Sequence, residues 1–197
     1  MQHWLLKKHR LVLGSSSPRR QELLKKMGLD FILRPSQVDE IYPTHLQAFE
    51  ISDYLAQLKA NALKDTLQPD EILLTSDTVV WHRGESLEKA ENAQQAVEML
   101  RKLAGDKHEV ITSVCFTTTE HQITKHHSTI VTFGSLSDEE IDFYVDQFEP
   151  FDKAGAYGIQ EWIGLVGITR IDGSYTNVVG LPTEMVYRTL SEFIESL

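Results

Sequence analysis

The chain has a single cysteine, Cys115, among its 197 residues, so no internal disulfide can form. In "EVITSVCFTTT" that cysteine reads as a small buried hydrophobe in a strand. Cations are also scarce. Lys and Arg number 19 against 29 Asp and Glu, a formal charge of 19 − 29 = −10. A protein whose main partner is a nucleic-acid backbone needs a basic face, which argues against that class. A small anionic ligand remains open, because a few placed cations can hold it inside an acidic protein. No apolar stretch approaches transmembrane length, so no membrane partner is expected. The apolar patch of "MQHWLLKKHRLVLG" is too short for a signal peptide and lacks a small-residue cleavage site, which makes the cytoplasm the expected address. Repeats, low-complexity tracts and linkers are missing too. The expectation is one domain over residues 1–197, with room for one core or two small lobes sharing a cleft.

What is present is an ordinary globular composition, 41% hydrophobic and 24% charged. "LVLG" reads as a buried strand and "SPRRQELLKKMG" as a helix capped by Ser17, opened by Pro18 and ended by Gly28. "FILRPS" is a second short strand. "AFEISDYLAQLKANALKDTL" has helical periodicity, with Ile51, Leu55, Leu58 and Ala62 on one stripe. "EILLTSDTVVWHRGE" is strand-like, interrupted at its polar centre and turning near Arg83-Gly84. "NAQQAVEMLRKLAG" is an amphipathic helix between Asn92 and Gly105. Two strands, "KHEVITSVCFTTT" and "ITKHHSTIVTFG", flank a turn at "EHQ". "SDEEIDFYVDQF" opens with the capping box of Ser137 and Glu140. "LVGITRIDGSYTNVVG" suggests a hairpin turned at Asp172-Gly173, and "LPTEMVYRTLSEFIESL" a closing helix. Strands alternating with helices, some neighbours hairpin-like, predict an α/β fold with a mixed sheet.

The chemistry-bearing stretches begin with "LVLGSSSPRR". A strand, a turn of small residues and a helix start form an anion site, because free N–H groups and the helix dipole point outward there. Arg19 and Arg20 add planar forks suited to phosphate oxygens. Cations at a helix start oppose the dipole, an arrangement that an anion would relieve. The glycine-and-lysine spacing of a P-loop is lacking. In "ILLTSDTVV", Asp77 falls at the end of a buried-strand run, where a carboxylate can bind Mg²⁺ or take a proton from water. Locally it reads equally as a turn-forming residue. Asp39 and Glu40 of "SQVDE" could coordinate a cation or decorate a surface loop. Lys59 and Lys89, each alone, would be solvated charges. The small residues of "KAGAYGIQ" permit close approach of a ligand or simply tight packing. His126 and His127 are adjacent on a strand, point to opposite faces and cannot share an ion. The stripe Phe143, Tyr144, Phe148, Phe151 reads as core or interface.

The order of these stretches, "LGSSSPRRQELLKKMGLDF", "VDE", "LAQLKANAL", "SDTVV", a lysine before a helix, "AGAYGIQ" and "NVVGLP", closely resembles the Maf family from end to end. The resemblance implies a mixed, twisted sheet flanked by helices, two lobes with a central cleft, and a homodimer. It implies hydrolysis of a nucleoside triphosphate between the α- and β-phosphates, giving the monophosphate and pyrophosphate with a divalent cation, Mg²⁺ or Mn²⁺. By motif, Ser15, Arg19 and Arg20 fall in the phosphate-binding turn, Glu40 is the metal-holding acid, and Lys59 and Lys89 contact substrate. Asp77 is the catalytic residue, as base or metal ligand. The dTTP/UTP branch of the family is marked by an arginine, a threonine and a glutamine, which fall here on Arg19, Thr78 and Gln160.

The chain departs from the family pattern at Ser76, at the neighbours of Lys89 in "EKA", and at Glu161, where glycine often follows the glutamine. An alternative is a nucleotide-binding regulator of cell division with little turnover, for which "EKA" is the support. Retention of the two arginines, Glu40, Lys59, Asp77 and Lys89 favours an enzyme.

Overall fold

The computed structural model describes residues 4–6 and 8–197. The N-terminal stretch read above for a leader therefore falls partly on residues 1–3 and 7, outside the described residues. After a 3-10 turn at Trp4–Leu6 come strand β1 (Arg10–Leu13) and helix α1 (Pro18–Lys26), followed by β2 (Phe31–Leu33), α2 (Phe49–Lys64), β3 (Glu71–His82) and β4 (Glu85–Leu87). The second half holds α3 (Ala93–Leu103), β5 (Lys107–Thr117), β6 (Gln122–Phe133), α4 (Asp138–Phe148), α5 (Trp162–Val166), β7 (Ile168–Asp172), α6 (Tyr175–Val179) and α7 (Thr183–Glu195). The caps fall on the residues expected from sequence: Ser17 accepts from Arg20 N, Asn92 from Gln95 N, and Ser137 and Glu140 form a reciprocal capping box.

The seven strands make one mixed sheet in the order β2-β1-β3-β5-β6-β7, with β4 also paired to β3. β1 runs parallel to β2 and β3, whereas the β3–β4, β3–β5, β5–β6 and β6–β7 pairs are antiparallel. Both modes meet on β3. One of its edges pairs with β5 without a break from Leu73 to Trp81. The other pairs with β1 only to Leu74 and with β4 only from Val80. Between them, residues 75–79 have an edge that no described strand occupies.

Apolar layers cover both faces. α2 lays Ala56 and Ala60 against Val12, Leu73 and Cys115, and Ile51 and Leu55 against Val79. On the opposite face Leu24, Val186, Leu190 and Phe193 close over Leu11, Leu13, Ile72, Leu74 and Phe116. Further along that face Leu100, Ile141, Tyr144 and Ile163 pack on Val80, Val110, Val131 and Phe133. Each fully buried leucine contributes on the order of 2 kcal/mol, so the sheet is held firmly on both sides of the gap. Among the described residues no helix is long and apolar enough to cross a membrane.

Three local expectations are corrected. β3 is not interrupted at its polar centre. Thr75 Oγ1 donates to Ala56 O at 2.7 Å and Thr78 Oγ1 meets Thr112 Oγ1 at 3.0 Å, so these polar side chains are bonded inside the strand. On α2, Ala62 is exposed and the buried stripe instead runs Ile51, Leu55, Ala56, Lys59, Ala60. No hairpin follows Asp172-Gly173: β7 is succeeded by α6. Ser174 caps that short helix, and the buried amide of Asn177 donates to Val110 O at 2.8 Å and Thr129 Oγ1 at 3.0 Å. These tertiary bonds override the strand tendency of "YTNVV". Within the aromatic stripe, Tyr144 is buried and stacks with Phe148, while Phe143 is exposed and meets Trp162 edge-on.

Candidate active site

β1 stops at Gly14, whose N–H donates to Leu74 O at 2.8 Å. A Cβ there would stand 2.6 Å from Thr75 Cγ2, so only glycine lets the turn lie this close to β3. The serines then lead the chain away from β3 and into α1, opening the gap along residues 75–79. Arg20 fills it. Its Nη1 donates to Ser76 O at 2.9 Å, a carbonyl on the unpaired edge, and to Ser15 Oγ at 3.2 Å. Its Nη2 donates to Thr78 Oγ1 at 3.2 Å and its Nε to Gly180 O at 2.9 Å. Burial pulls its pKa below the usual arginine value, and Asp77 opposes that shift. Arg19 turns the other way: its half-buried guanidinium reaches Asp152 Oδ2 at 3.0 Å. The two adjacent arginines therefore do different work, one tying β3 to α1 and α6, the other standing at the cleft wall.

Successive β3 side chains alternate faces, so Thr78 meets Arg20 while Asp77 points to α2. There Lys59 Nζ lies 2.6 Å from Asp77 Oδ1 and 2.7 Å from Glu40 Oε1. Lys89 Nζ approaches Glu40 Oε2 at 3.2 Å. Asp77 and Lys59 are buried, and Glu40 is half-exposed. Burial is the main influence on Asp77 and raises its pKa above the usual carboxylate value despite Lys59 and Arg20. Burial pushes Glu40 the same way, but the ammonium groups of Lys59 and Lys89 outweigh it and leave its pKa lowered. The "EKA" departure leaves Lys89 at the cleft: its backbone bridges to Ala154, and Ala90 packs in the core.

The opposite wall is the irregular run from residue 150 to 161. Lys153 is buried, with Nζ 2.6 Å from Asp152 Oδ1 and 3.1 Å from Glu161 Oε1. Tyr144 donates a short hydrogen bond to Glu161 and accepts one from Gly158 N at 3.0 Å. Gln160 is exposed on the cleft side of this loop. Nearby, the Tyr157 hydroxyl lies 2.7 Å from Nε2 of His108, whose burial lowers its pKa to about 4.

All nine residues singled out by motif, from Ser15 to Gln160, line one cleft of about 510 Å³, within the range of small-molecule sites. Asp39 is exposed and lies outside that lining. His126 sits beside Asp53 at 3.2 Å, stacked on Phe49, far from any shared-ion arrangement with His127. Asp152 and Lys153 also line the cleft. Sequence reasoning passed over them, although a charged pair directly before a run of small residues was the available signal. It read "SQVDE" only for its acids, whereas Ser36 also faces the cleft with a buried Oγ that has no bonding partner.

Among the described residues no three of His, Cys, Asp and Glu gather into a preformed metal cage. Asp77 and Glu40 nevertheless both bond the single ammonium of Lys59, so the two carboxylates stand close enough together to share a cation beside it. Mg²⁺ is typically held in this manner, by one or two carboxylates with substrate phosphates and waters completing its shell.

A cleft in an α/β sheet that combines a helix-start turn, two arginines, two lysines and two converging carboxylates belongs to the class of proteins that bind phosphorylated small molecules. The chain is a member of the Maf family: the Maf-like protein family profile matches residues 10–193. It is 51% identical over 189 residues to a dTTP/UTP pyrophosphatase of Flavobacterium johnsoniae, covering 96% of this chain and 97% of the relative. It is 56% identical to one of Flavobacterium psychrophilum, covering 90% and 91%, and 48% identical to one of Christiangramia forsetii, covering 98% and 98%.

Proposed function

We propose that the protein is a nucleoside triphosphate pyrophosphatase that hydrolyses dTTP and UTP between the α- and β-phosphates, releasing the monophosphate and pyrophosphate. The observation that carries this reading is the convergence of Asp77, Glu40 and Lys59 beside the Ser15–Arg20 turn in one cleft. Relatives named for that activity over nearly the whole chain support it.

In this reading the triphosphate lies along the turn. The N–H groups at the start of α1, the Ser15 hydroxyl and Arg19 take its oxygens, and Lys59 and Lys89 counter the charge that builds on the pyrophosphate leaving group. Lys59 holds Oδ1 of Asp77, so Oδ2 is the oxygen that orients the water and accepts its proton as it attacks the α-phosphorus. A divalent cation held by Asp77 and Glu40 would neutralise phosphate charge, Mg²⁺ and Mn²⁺ both suiting an all-oxygen shell. At the far end the Gln160 amide, with one donor and one acceptor edge, pairs with the N–H and C=O of a uracil or thymine imide. Arg20 acts from behind, fixing Thr78 and the turn. We further propose that the enzyme acts in the cytoplasm, where its substrates are made, and as a homodimer, as the family resemblance implies.

One assay decides between this enzyme and a nucleotide-binding regulator. The purified protein is incubated with each common nucleoside triphosphate and Mg²⁺, and products are resolved. Monophosphate plus pyrophosphate from dTTP and UTP is expected. Tight binding without products would overturn the enzyme reading, and a preference for CTP or a purine nucleotide would overturn the substrate assignment.

A further inference from the structure

The base-reading loop raises a question that Gln160 alone does not answer. A glutamine amide has a donor end and an acceptor end, and a rotation of half a turn exchanges them. In one orientation it complements an imide, N–H beside C=O. In the other it complements cytosine, which offers a ring acceptor beside an amino donor. A glutamine free to rotate therefore reads both bases, and selectivity requires something that holds the amide one way.

The structure supplies such a group in Glu161. At Gly158 a Cβ would lie 2.9 Å from Glu161 Oε2 and 3.0 Å from Gln160 Nε2, so the carboxylate oxygen and the amide nitrogen both lie over the Gly158 backbone, within about 6 Å of each other and close enough for the charge to orient the amide dipole. A carboxylate accepts only, and it attracts the NH₂ end of an amide while repelling the carbonyl end. Glu161 is itself immobilised. Lys153 pairs with Oε1 at 3.1 Å, Tyr144 donates to Oε2, and its own N–H closes the turn onto Gly158 O at 3.0 Å. Gly158 N in turn donates to Tyr144. The side chain is 19% exposed, so its field is only partly screened.

We propose that Glu161 is a positioning residue that sets the orientation of the Gln160 amide and thereby makes the pocket select imide bases over cytosine. The inference rests on Gln160 reading the base, as proposed above. It adds a second role for the same carboxylate. Through Lys153 and Asp152, Glu161 belongs to a chain of ion pairs that ends at Arg19, so the base loop and the phosphate turn share one electrostatic tether.

The test compares wild type with Glu161→Gly, which vacates the site, and Glu161→Gln, which keeps the shape but loses the charge. KM and kcat are measured for UTP and CTP, and metal-free dissociation constants for the same two nucleotides are measured by calorimetry. For Glu161→Gly the preference for UTP over CTP should fall about tenfold, through KM and Kd with kcat nearly unchanged. Glu161→Gln should fall between it and wild type. A general loosening of the fold would weaken both nucleotides alike and leave the ratio unmoved. If the glycine variant folds and its UTP-to-CTP ratio stays within twofold of wild type, the proposal is wrong. If it does not fold, an unchanged ratio in Glu161→Gln overturns it equally. A wild type that binds both nucleotides but hydrolyses neither would instead overturn the enzymatic reading, while the binding ratios still judge Glu161.

Discussion

The two ends of the cleft are built differently. Asp77 and Lys59 ride on a twelve-residue strand and a sixteen-residue helix, each paired or packed along its length. Asp152, Lys153, Gln160 and Glu161 ride on a loop with one short helical turn, held by ion pairs and a tyrosine hydroxyl. At the first end backbone geometry fixes the side chains. At the second, side chains fix the backbone. Chemistry that tolerates little displacement sits on the regular elements, and recognition sits where a few substitutions can reshape it.

Asp77→Asn tests the regular end most severely. It keeps the shape and the strand but removes the proton acceptor, and kcat should fall by roughly 10²–10⁴, as for other lost acid–base groups, with KM little changed. A variant retaining wild-type turnover would remove Asp77 from the mechanism and break the contrast at its strongest point.

Acid should undo the loop end first. The His108 pKa is lowered from 6.5 to about 4 because the ring is buried, where as the neutral form it can accept from Tyr157. Its folded pKa lies below its unfolded one, so the stability it contributes is complete above about pH 6.5 and is lost as pH falls through about 4. The shift of 6.5 − 4 = 2.5 units corresponds to about 3 kcal/mol at most. Urea unfolding across that window should show the loss, and His108→Gln should flatten it. An identical pH profile in the variant would mean that the acid sensitivity lies elsewhere.

The smallest effect concerns β3 itself. Ser76 is fully buried and its hydroxyl has no partner, an expense that the surrounding sheet absorbs. Ser76→Ala should stabilise the protein by about 1 kcal/mol without changing turnover, readable as a shifted urea midpoint. A destabilised variant would show that the hydroxyl has a bonded role.

The same contrast explains what could be read from sequence. Ser17, Asn92 and Ser137 cap their helices as expected because capping is decided within four residues. The interruption expected in β3 does not occur, because Thr75 and Thr78 find partners on α2 and β5, far away in sequence. The hairpin expected at Asp172-Gly173 is a helix for a similar reason, the burial of Asn177 between β5 and β6. Arg19 and Arg20 looked equivalent in "SPRR". Their separation depends on the unpaired edge of β3, which pairing patterns in space create. Asp77 read locally as either a reactive carboxylate or a turn residue and Lys59 as a solvated charge, and only the order of motifs along the chain connected them. Lys153 escaped notice because a charged pair before small residues also suits an ordinary solvated loop, and its burial depends on pairing with Asp152 and Glu161 in space.

The alternation of β3 places Asp77 and Thr78 on opposite sides of the sheet, separated by a single peptide. A shift of one residue anywhere between Leu74 and Asp77 would exchange them, setting a carboxylate against the Arg20 guanidinium and a hydroxyl against Lys59. The reading frame of this strand therefore matters as much as its composition. The molecule can accept many substitutions along β3, but at its centre it cannot gain or lose a residue.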